Sequence, residues 1–389
     1  MNKGKQQNLT ASLDLSGSCV RAVIGSQGDN GLPKILGMSK IRCNGICFGE
    51  IVDASDTSRA VQLAIREAEV EAGVKAPPVR VGIYGEYIST RRIQPENKTA
   101  QSHRPGLNNK ALLHMCEVEE SGEVFVVTAH RRPVEEIVSC VAQSKVQVAD
   151  LAWIPLNVGA VLLPQESADR DVLILDFGYD LTHAILVRKG RTHDVFSIST
   201  GGEDITNNLS VAFGLSFQDA ENIKLRDGWA MAKLSEQYDP IRTPFSPLRP
   251  VQVIYSIQVA RVIEDTMTTL LDEISNNLSH AGYDMFISQV YLTGGTSALR
   301  GLPELVMRQY GVPATRGLPG ADRGGTDGGS LDSLSGVLGM LYGANDRHYR
   351  GFSLPHKQAP RWRRAWRSVS GLMRSAFTME YRPAHTWEV

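Results

Sequence analysis

Three short stretches carry residue types suited to holding a phosphate chain. Ala11-Ser12-Leu13-Asp14-Leu15 is an apolar strand pattern that runs into Ser16-Gly17-Ser18, and a second apolar run begins at Val20. Val172-Leu173-Ile174-Leu175 ends in Asp176, passes through Phe177-Gly178 and returns from Thr182 to Arg188. Gln289 to Thr293 delivers the pair Gly294-Gly295. Small residues at such turns let backbone N–H groups approach phosphate oxygens, and two carboxylates can hold a hydrated divalent cation. Taken singly, Asp14 and Asp176 also suit the plainer role of turn formers at strand ends. Their repetition in this order favours a nucleotide-type cleft.

The surrounding elements must bring these turns together. Leu9–Gly25 reads as a hairpin, Pro33–Ile41 as a third strand, and Ser58–Ala72 as a helix behind a capping region at Asp56-Thr57-Ser58. Val79–Gly85 is a buried strand, Arg91–Asn109 a polar loop, Val124–Ala129 a strand and Pro133–Ser144 a helix with Pro in its first turn. Pro250–Ala281 is the longest helical pattern. Gly317–Ser330 is glycine-rich, and Asn345–Pro360 reads as a linker.

Composition sets the outer limits. The chain has 389 residues, 42% hydrophobic and 21% charged, which excludes disordered, collagen-like and disulfide-scaffold classes. No apolar run reaches the length of a spanning helix, and the first residues have no apolar core of the signal-peptide kind. Five scattered cysteines suit a reducing cytoplasm. Cys43 and Cys47 have no second Cys/His pair nearby and read as thiols, buried or partly exposed, not as metal ligands. His183 reads as a strand-surface histidine. No HExxH, P-loop or GxSxG pattern is present.

Charge is unevenly spread. From Asn345 onward nine Lys/Arg stand against three Asp/Glu, so a chain of net charge −1 has a tail at +6 and a body at −7. An acidic body argues against nucleic acid. Within the tail, Trp362, Ala365, Trp366, Val369, Leu372, Met373, Ala376 and Phe377 recur at steps of three and four, and Arg361, Arg363, Arg364, Arg367 and Arg374 fill the remainder. Such a helix suits the interface of an anionic bilayer. Docking on the protein's own acidic body is the alternative.

With these motifs in place, nearly the whole chain resembles the actin-like ATPase superfamily and, within it, the FtsA family of bacterial cell-division proteins. Asp14-Leu15-Ser16-Gly17-Ser18 resembles the first phosphate loop, Asn44 to Asp53 the glycine turn before the first long helix, and Gly201-Gly202-Glu203-Asp204 the start of the second lobe's first helix. Asp219 to Lys224 is similar to the acidic–Lys motif near the nucleoside, and Val290 to Gly301 to the adenosine motif. The resemblance implies an α/β fold of two lobes around a nucleotide cleft. Its parts would be a first lobe (1–87 and 154–171), a reduced insert (88–153), a second lobe (172–343, with 217–286 its smaller subdomain), a linker (344–360), a membrane helix (361–377) and a tail (378–389). ATP, with Mg²⁺ held without direct protein ligation, would contact Asp14, Ser16, Gly17, Ser18, Asp176, Gly178, Gly202, Glu221, Lys224, Gly294 and Gly295.

Departures from the family pattern fall on the phosphate side. The second phosphate loop reads Asp176-Phe177-Gly178-Tyr179-Asp180-Leu181-Thr182, with Tyr and Asp in place of two glycines. A bulky ring hinders close backbone approach, and an added carboxylate repels phosphate. Ile154-Pro155 stands where polymerising relatives carry Glu-Pro, and the insert is shorter than the family's. The resemblance therefore implies an adaptor, with hydrolysis weak or absent and catalytic residues unassigned. It would tether an FtsZ-like filament protein to anionic lipid on the cytoplasmic face of the cell membrane at the division site, with self-association. The alternatives are a small-molecule kinase and a pilus- or secretion-assembly adaptor on the same fold.

Overall fold

The computed structural model describes residues 9–27, 33–93, 110–117, 124–163, 170–235, 238–243, 251, 253–283, 287–317, 334–343 and 352–353. The basic segment 361–377 and the tail 378–389 lie outside them, as do residues 318–333 and 344–350.

The first lobe is built on β1 (Leu9–Ser16), β2 (Cys19–Gln27) and β3 (Pro33–Arg42), an antiparallel meander. A short pair, β4 (Ile46–Cys47) and β5 (Glu50–Ile51), then leads into helix α1 (Ala54–Ala72). Strand β6 (Val79–Ile83) returns parallel to β1 and places Asp14 beside Gly82. Helix α1 buries Ala60, Val61, Ala64, Ile65 and Ala68, as the spacing predicts, but Val70, which the same spacing places with them, is exposed near the end of the helix. It begins earlier than the expected Ser58, because the Asp53 side chain accepts from the N–H groups of Ser55 and Asp56 and caps the first turn.

The insert is a three-stranded antiparallel sheet of β7 (Ile88–Ile93), β8 (Lys110–Glu117) and β9 (Val124–His130), in the order β7-β9-β8, followed by α2 (Arg131–Gln143). The end of β7, Arg91–Ile93, is strand where the pattern predicts the start of a polar loop, and β8 begins directly after that range; residues 94–109 are not among those described. Strand β10 (Val148–Trp153) pairs with β6, and α3 (Pro155–Leu162) follows.

The second lobe repeats the scheme. Strands β11 (Val172–Phe177), β12 (Thr182–Arg188) and β13 (Arg191–Ile198) form a meander. Helices α4 (Gly202–Phe213) and α5 (Phe217–Asp227), the hairpin β14 (Pro240–Arg242) and β15 (Val253–Tyr255), and α6 (Ser256–His280) come next. Strand β16 (Gln289–Thr293) then returns parallel to β11, placing Asp176 beside Thr293. Asp14 and Asp176 thus hold equivalent places, each at the end of a central strand and beside a parallel neighbour. Helix α6 begins at Ser256 where the pattern suggested Pro250, with the Gln258 side chain accepting from the Tyr255 N–H.

Helix α7 (Leu302–Tyr310) and strand β17 (Ala314–Arg316) complete that sheet, in the order β13-β12-β11-β16-β17. The chain then crosses back. Helix α8 (Ser335–Gly343) buries Val337, Leu338, Met340 and Leu341 against Val23, Ile35, Ala152 and Val161. Strand β18 (Phe352–Ser353) edges the first-lobe sheet beside β10, in the order β18-β10-β6-β1-β2-β3. Arg80 donates to the Met340 carbonyl and forms a bidentate pair with Asp150. The sequence reading placed 172–343 in one lobe; α8 instead completes the core of the other.

Candidate functional site

The β1–β2 register sets Asp14 directly opposite Arg21. Their side chains pair at 3.2 Å, each 9% exposed, and Ser16 Oγ donates to the same Asp14 oxygen at 3.0 Å. Arg21 also donates to Ser16 Oγ. Two atoms of this cluster, Asp14 Oδ1 and Arg21 Nε, are buried without a hydrogen-bond partner among the described residues. Burial raises the Asp14 carboxyl above its usual range, and Arg21 works against that rise. Sequence reasoning missed Arg21; its one signal is a charge interrupting the apolar run Val20–Ile24.

Asp176 faces this cluster from the second lobe. Its carboxyl is pushed up to about 7, by burial first and by the Asp14 charge second, while Arg21 opposes. The two aspartates are therefore brought within electrostatic reach, with a fixed guanidinium beside them. Gly294, at φ +85°, supports this corner: a Cβ there would lie 2.5 Å from Asp176 Oδ1 and 2.4 Å from the Phe177 carbonyl oxygen. The backbone turns where only glycine allows such approach. Among the described residues, no three His, Cys, Asp or Glu side chains converge as a metal cage.

The remaining predicted residues fall on either side. Gly178 O accepts from Thr296 Oγ1 at 2.9 Å and from the Gly202 N–H at 3.1 Å, so the second phosphate loop ties the Gly294 turn to the start of α4. Lys224 is buried; its Nζ donates to Gly202 O at 2.7 Å and to Thr206 Oγ1 at 2.8 Å and pairs with Glu221 at 2.7 Å. These contacts use its three donors. Burial lowers the Lys224 pKa, and Glu221 opposes that shift. Glu221 keeps 22% of its side chain exposed, and a Cβ at Gly295 would meet nothing within 4 Å, so this end of the cleft remains open. Ser18 stands apart; its hydroxyl contacts Cys19 Sγ and its carbonyl accepts from the Cys43 N–H.

The phosphate end is different. Asp180 is 3% exposed and reaches across into the first lobe. Its Oδ2 accepts from the Phe48 N–H at 2.6 Å, and its Oδ1 from the Tyr84 hydroxyl at 3.4 Å. A Cβ added at Gly17 would lie 2.4 Å from Asp180 Oδ2. The glycine of the first phosphate loop is thus approached by the protein's own carboxylate. Phe48 and Gly49 hold left-handed backbone at φ 47° and 80°, which turns the chain at the Phe48 N–H. Tyr179 leans toward α4, with its hydroxyl donating to Glu203 at 3.2 Å. Ile154 is buried, and a Cβ at Gly336 of α8 would lie 2.6 Å from its Cγ2. It packs in the core and offers no group to orient water. A polyphosphate does not fit against Gly17 while Asp180 holds this position.

His183 lies on a strand as expected but is buried, not at the surface. Its ring bonds Ser197 Oγ at 2.9 Å and meets Tyr84 edge-on at 6.3 Å between centroids. Burial lowers its pKa to about 4.

Comparisons with known proteins bear on the fold and on the family resemblance. The family model described as "Cell division protein FtsA" matches residues 173–335. A curated "Cell division protein FtsA" from Pseudomonas aeruginosa is 25% identical over 381 residues, covering 89% of this chain and 91% of that protein. The one from Escherichia coli K12 is 22% identical, covering 90% and 94%. Among solved structures, a "PilM-PilN type IV pilus biogenesis complex" superposes with a TM-score of 0.67 at 18% identity, covering 85% of this chain and 96% of that one. "MreB 5 of Spiroplasma citri bound to AMPPNP" superposes at 0.56 with 12% identity, covering 86% and 95%. The duplicated meanders, the paired aspartates and these likenesses have one common reading: the chain has the actin-like ATPase fold and is similar, over nearly its whole length, to FtsA cell-division proteins.

Proposed function

We propose that the protein is a cell-division adaptor that carries a cytoskeletal filament protein of the FtsZ type to the cytoplasmic face of the membrane. The observation that carries this reading over an enzymatic one is the cross-cleft contact of Asp180 with Phe48, Tyr84 and Gly17. A kinase or ATPase needs backbone donors aimed at the transferring phosphoryl group and a residue to position its nucleophile. Here the donor at Phe48 is spent on a side chain, and Ile154 is apolar. An adaptor needs only a ligand-dependent shift between two arrangements of its lobes. ATP, with Mg²⁺ near Asp14 and Asp176, would serve as such a ligand once Asp180 gives way, through Glu221 and Gly294-Gly295, with the buried Lys224 holding Glu221 in place.

For the membrane, the sequence of residues 361–377 supplies the proposal. Each Arg near an anionic leaflet contributes about 1 kcal/mol, weakened by salt. The segment follows β18 closely, so the tether would hold the molecule by its first lobe. Among the described residues no helix is long and apolar enough to cross a membrane. Self-association and residence at the division site belong to the same proposal.

Co-sedimentation with anionic liposomes and candidate filament proteins, with and without residues 361–389, tests the adaptor. The full chain should bring the filament protein down with lipid, and the shortened chain should not. A phosphate-release assay tests the enzymatic alternative: turnover at or above about 1 s⁻¹, the low end of ordinary enzymes, overturns the adaptor reading.

A further inference from the structure

We propose that Asp180 is a built-in anion: its carboxylate takes the place of a ligand phosphate at the first lobe's phosphate loop and latches the two lobes together, so that a nucleoside polyphosphate is admitted only by displacing it. This rests on the reading of the cleft as a nucleotide cleft, but the latch itself does not depend on any nucleotide.

Three contacts argue for it. The carboxylate lies against Gly17, where a side chain of any other residue would collide with it. It accepts the Phe48 N–H at 2.6 Å, a bond that favours the charged carboxylate against the effect of its burial. It also takes the Tyr84 hydroxyl, and the Tyr84 ring meets His183 of the second lobe edge-on. A glycine that permits close approach, a backbone N–H and a hydroxyl are the groups that would recognise a phosphate oxygen. They converge instead on a carboxylate of this chain. Phe48 holds a left-handed φ of 47°, uncommon for a bulky residue, and such strain persists only where the surroundings over-determine it.

The contact also explains why the altered glycine is not merely a lost one. A residue that only repelled phosphate could point into solvent. Asp180 is buried and bonded to the opposite lobe, so removing it would both free the donors and loosen the closure.

The test uses the full chain with Asp180→Gly and Asp180→Asn. Without nucleotide, hydrogen exchange at the Phe48 amide should speed up in Asp180→Gly, and inorganic phosphate or formate should raise its melting temperature but not that of the wild type. In calorimetry, ATP should bind Asp180→Gly at least about tenfold tighter than wild type, the factor that 1.4 kcal/mol represents, while adenosine binds both alike. Asp180→Asn keeps an acceptor for Phe48 but loses the charge; it should gain ATP affinity with little change in exchange, and it decides the matter if the glycine variant does not fold. Unchanged Phe48 exchange in Asp180→Gly together with no anion rescue overturns the latch. So does equal ATP affinity of Asp180→Asn and wild type where adenosine is bound. Anion rescue with neither adenosine nor ATP bound upholds the latch and sinks the nucleotide reading alone.

Discussion

Asp176 and His183 face each other across the β11–β12 ladder, and burial shifts their protonation in opposite directions. The aspartate is raised from 3.8 to about 7, so between those values the folded state binds more protons than the unfolded one. Its contribution to stability is greatest at low pH and declines as pH rises toward 7. The histidine is lowered from 6.5 to about 4, so its contribution is full above 6.5 and is lost as pH falls toward 4. The two slopes oppose one another between about pH 4 and 6.5.

Unfolding by urea across pH 4.5 to 8 should separate them. Asp176→Asn should unmask the histidine, with stability falling more steeply than wild type as pH drops below 6.5. His183→Gln should unmask the aspartate, with stability rising as pH drops from 7. The change is on the order of 1–3 kcal/mol over the window. Parallel curves for all three proteins would refute the opposed pair.

Arg21→Ala should be among the costliest single changes in the first lobe. It leaves Asp14 buried without its counter-ion, for which about 3–5 kcal/mol is typical. Asp14→Asn in the same chain should recover part of the loss. Denaturant midpoints of the single and double variants measure this, and additive losses would mean the pair is not coupled.

Gly49→Ala should destabilise through the backbone. Its φ is +80°, and a Cβ there would lie 1.9 Å from the Tyr84 carbonyl oxygen, a rigid partner. A loss of several kcal/mol is expected, against the few tenths of an ordinary surface change. Thermal unfolding checks it.

Trp362→Glu with Trp366→Glu puts two charges on the apolar stripe of the basic segment. Liposome binding at physiological salt should be lost, with the melting curve of the body unchanged. Retained binding refutes a membrane role for that stripe.

A chain ending at Pro360 keeps β18 on the edge of the first-lobe sheet, where a cut after Tyr349 would remove it. It should bind its filament partner in solution but fail to recruit it to lipid. Loss of both activities would place the partner surface in the tail.

Much of the scaffold is legible in the sequence because its signals are local. Apolar strands running into Asp14 and Asp176 show the duplication, and the stripe of Ala60, Val61, Ala64, Ile65 and Ala68 shows α1. What escapes depends on contacts distant along the chain. Arg21 reads as an ordinary strand charge until the register sets it on Asp14. The apolar run Val337–Leu341 is buried on most sides, so periodicity cannot say which lobe takes it. Asp180 is visible as a departure from glycine, but its reach to Phe48, 132 residues away, follows only from how the lobes meet.

The return of α8 and β18 to the first-lobe sheet has a consequence for synthesis. A nascent chain emerging from the ribosome holds β1, β2 and β3 long before Val337–Leu341 exists to cover Val23 and Ile35. Domains completed early can fold on the ribosome, whereas pairings of great sequence separation must wait. The half made first is therefore finished last, and until then its uncovered apolar strands are a natural client surface for chaperones.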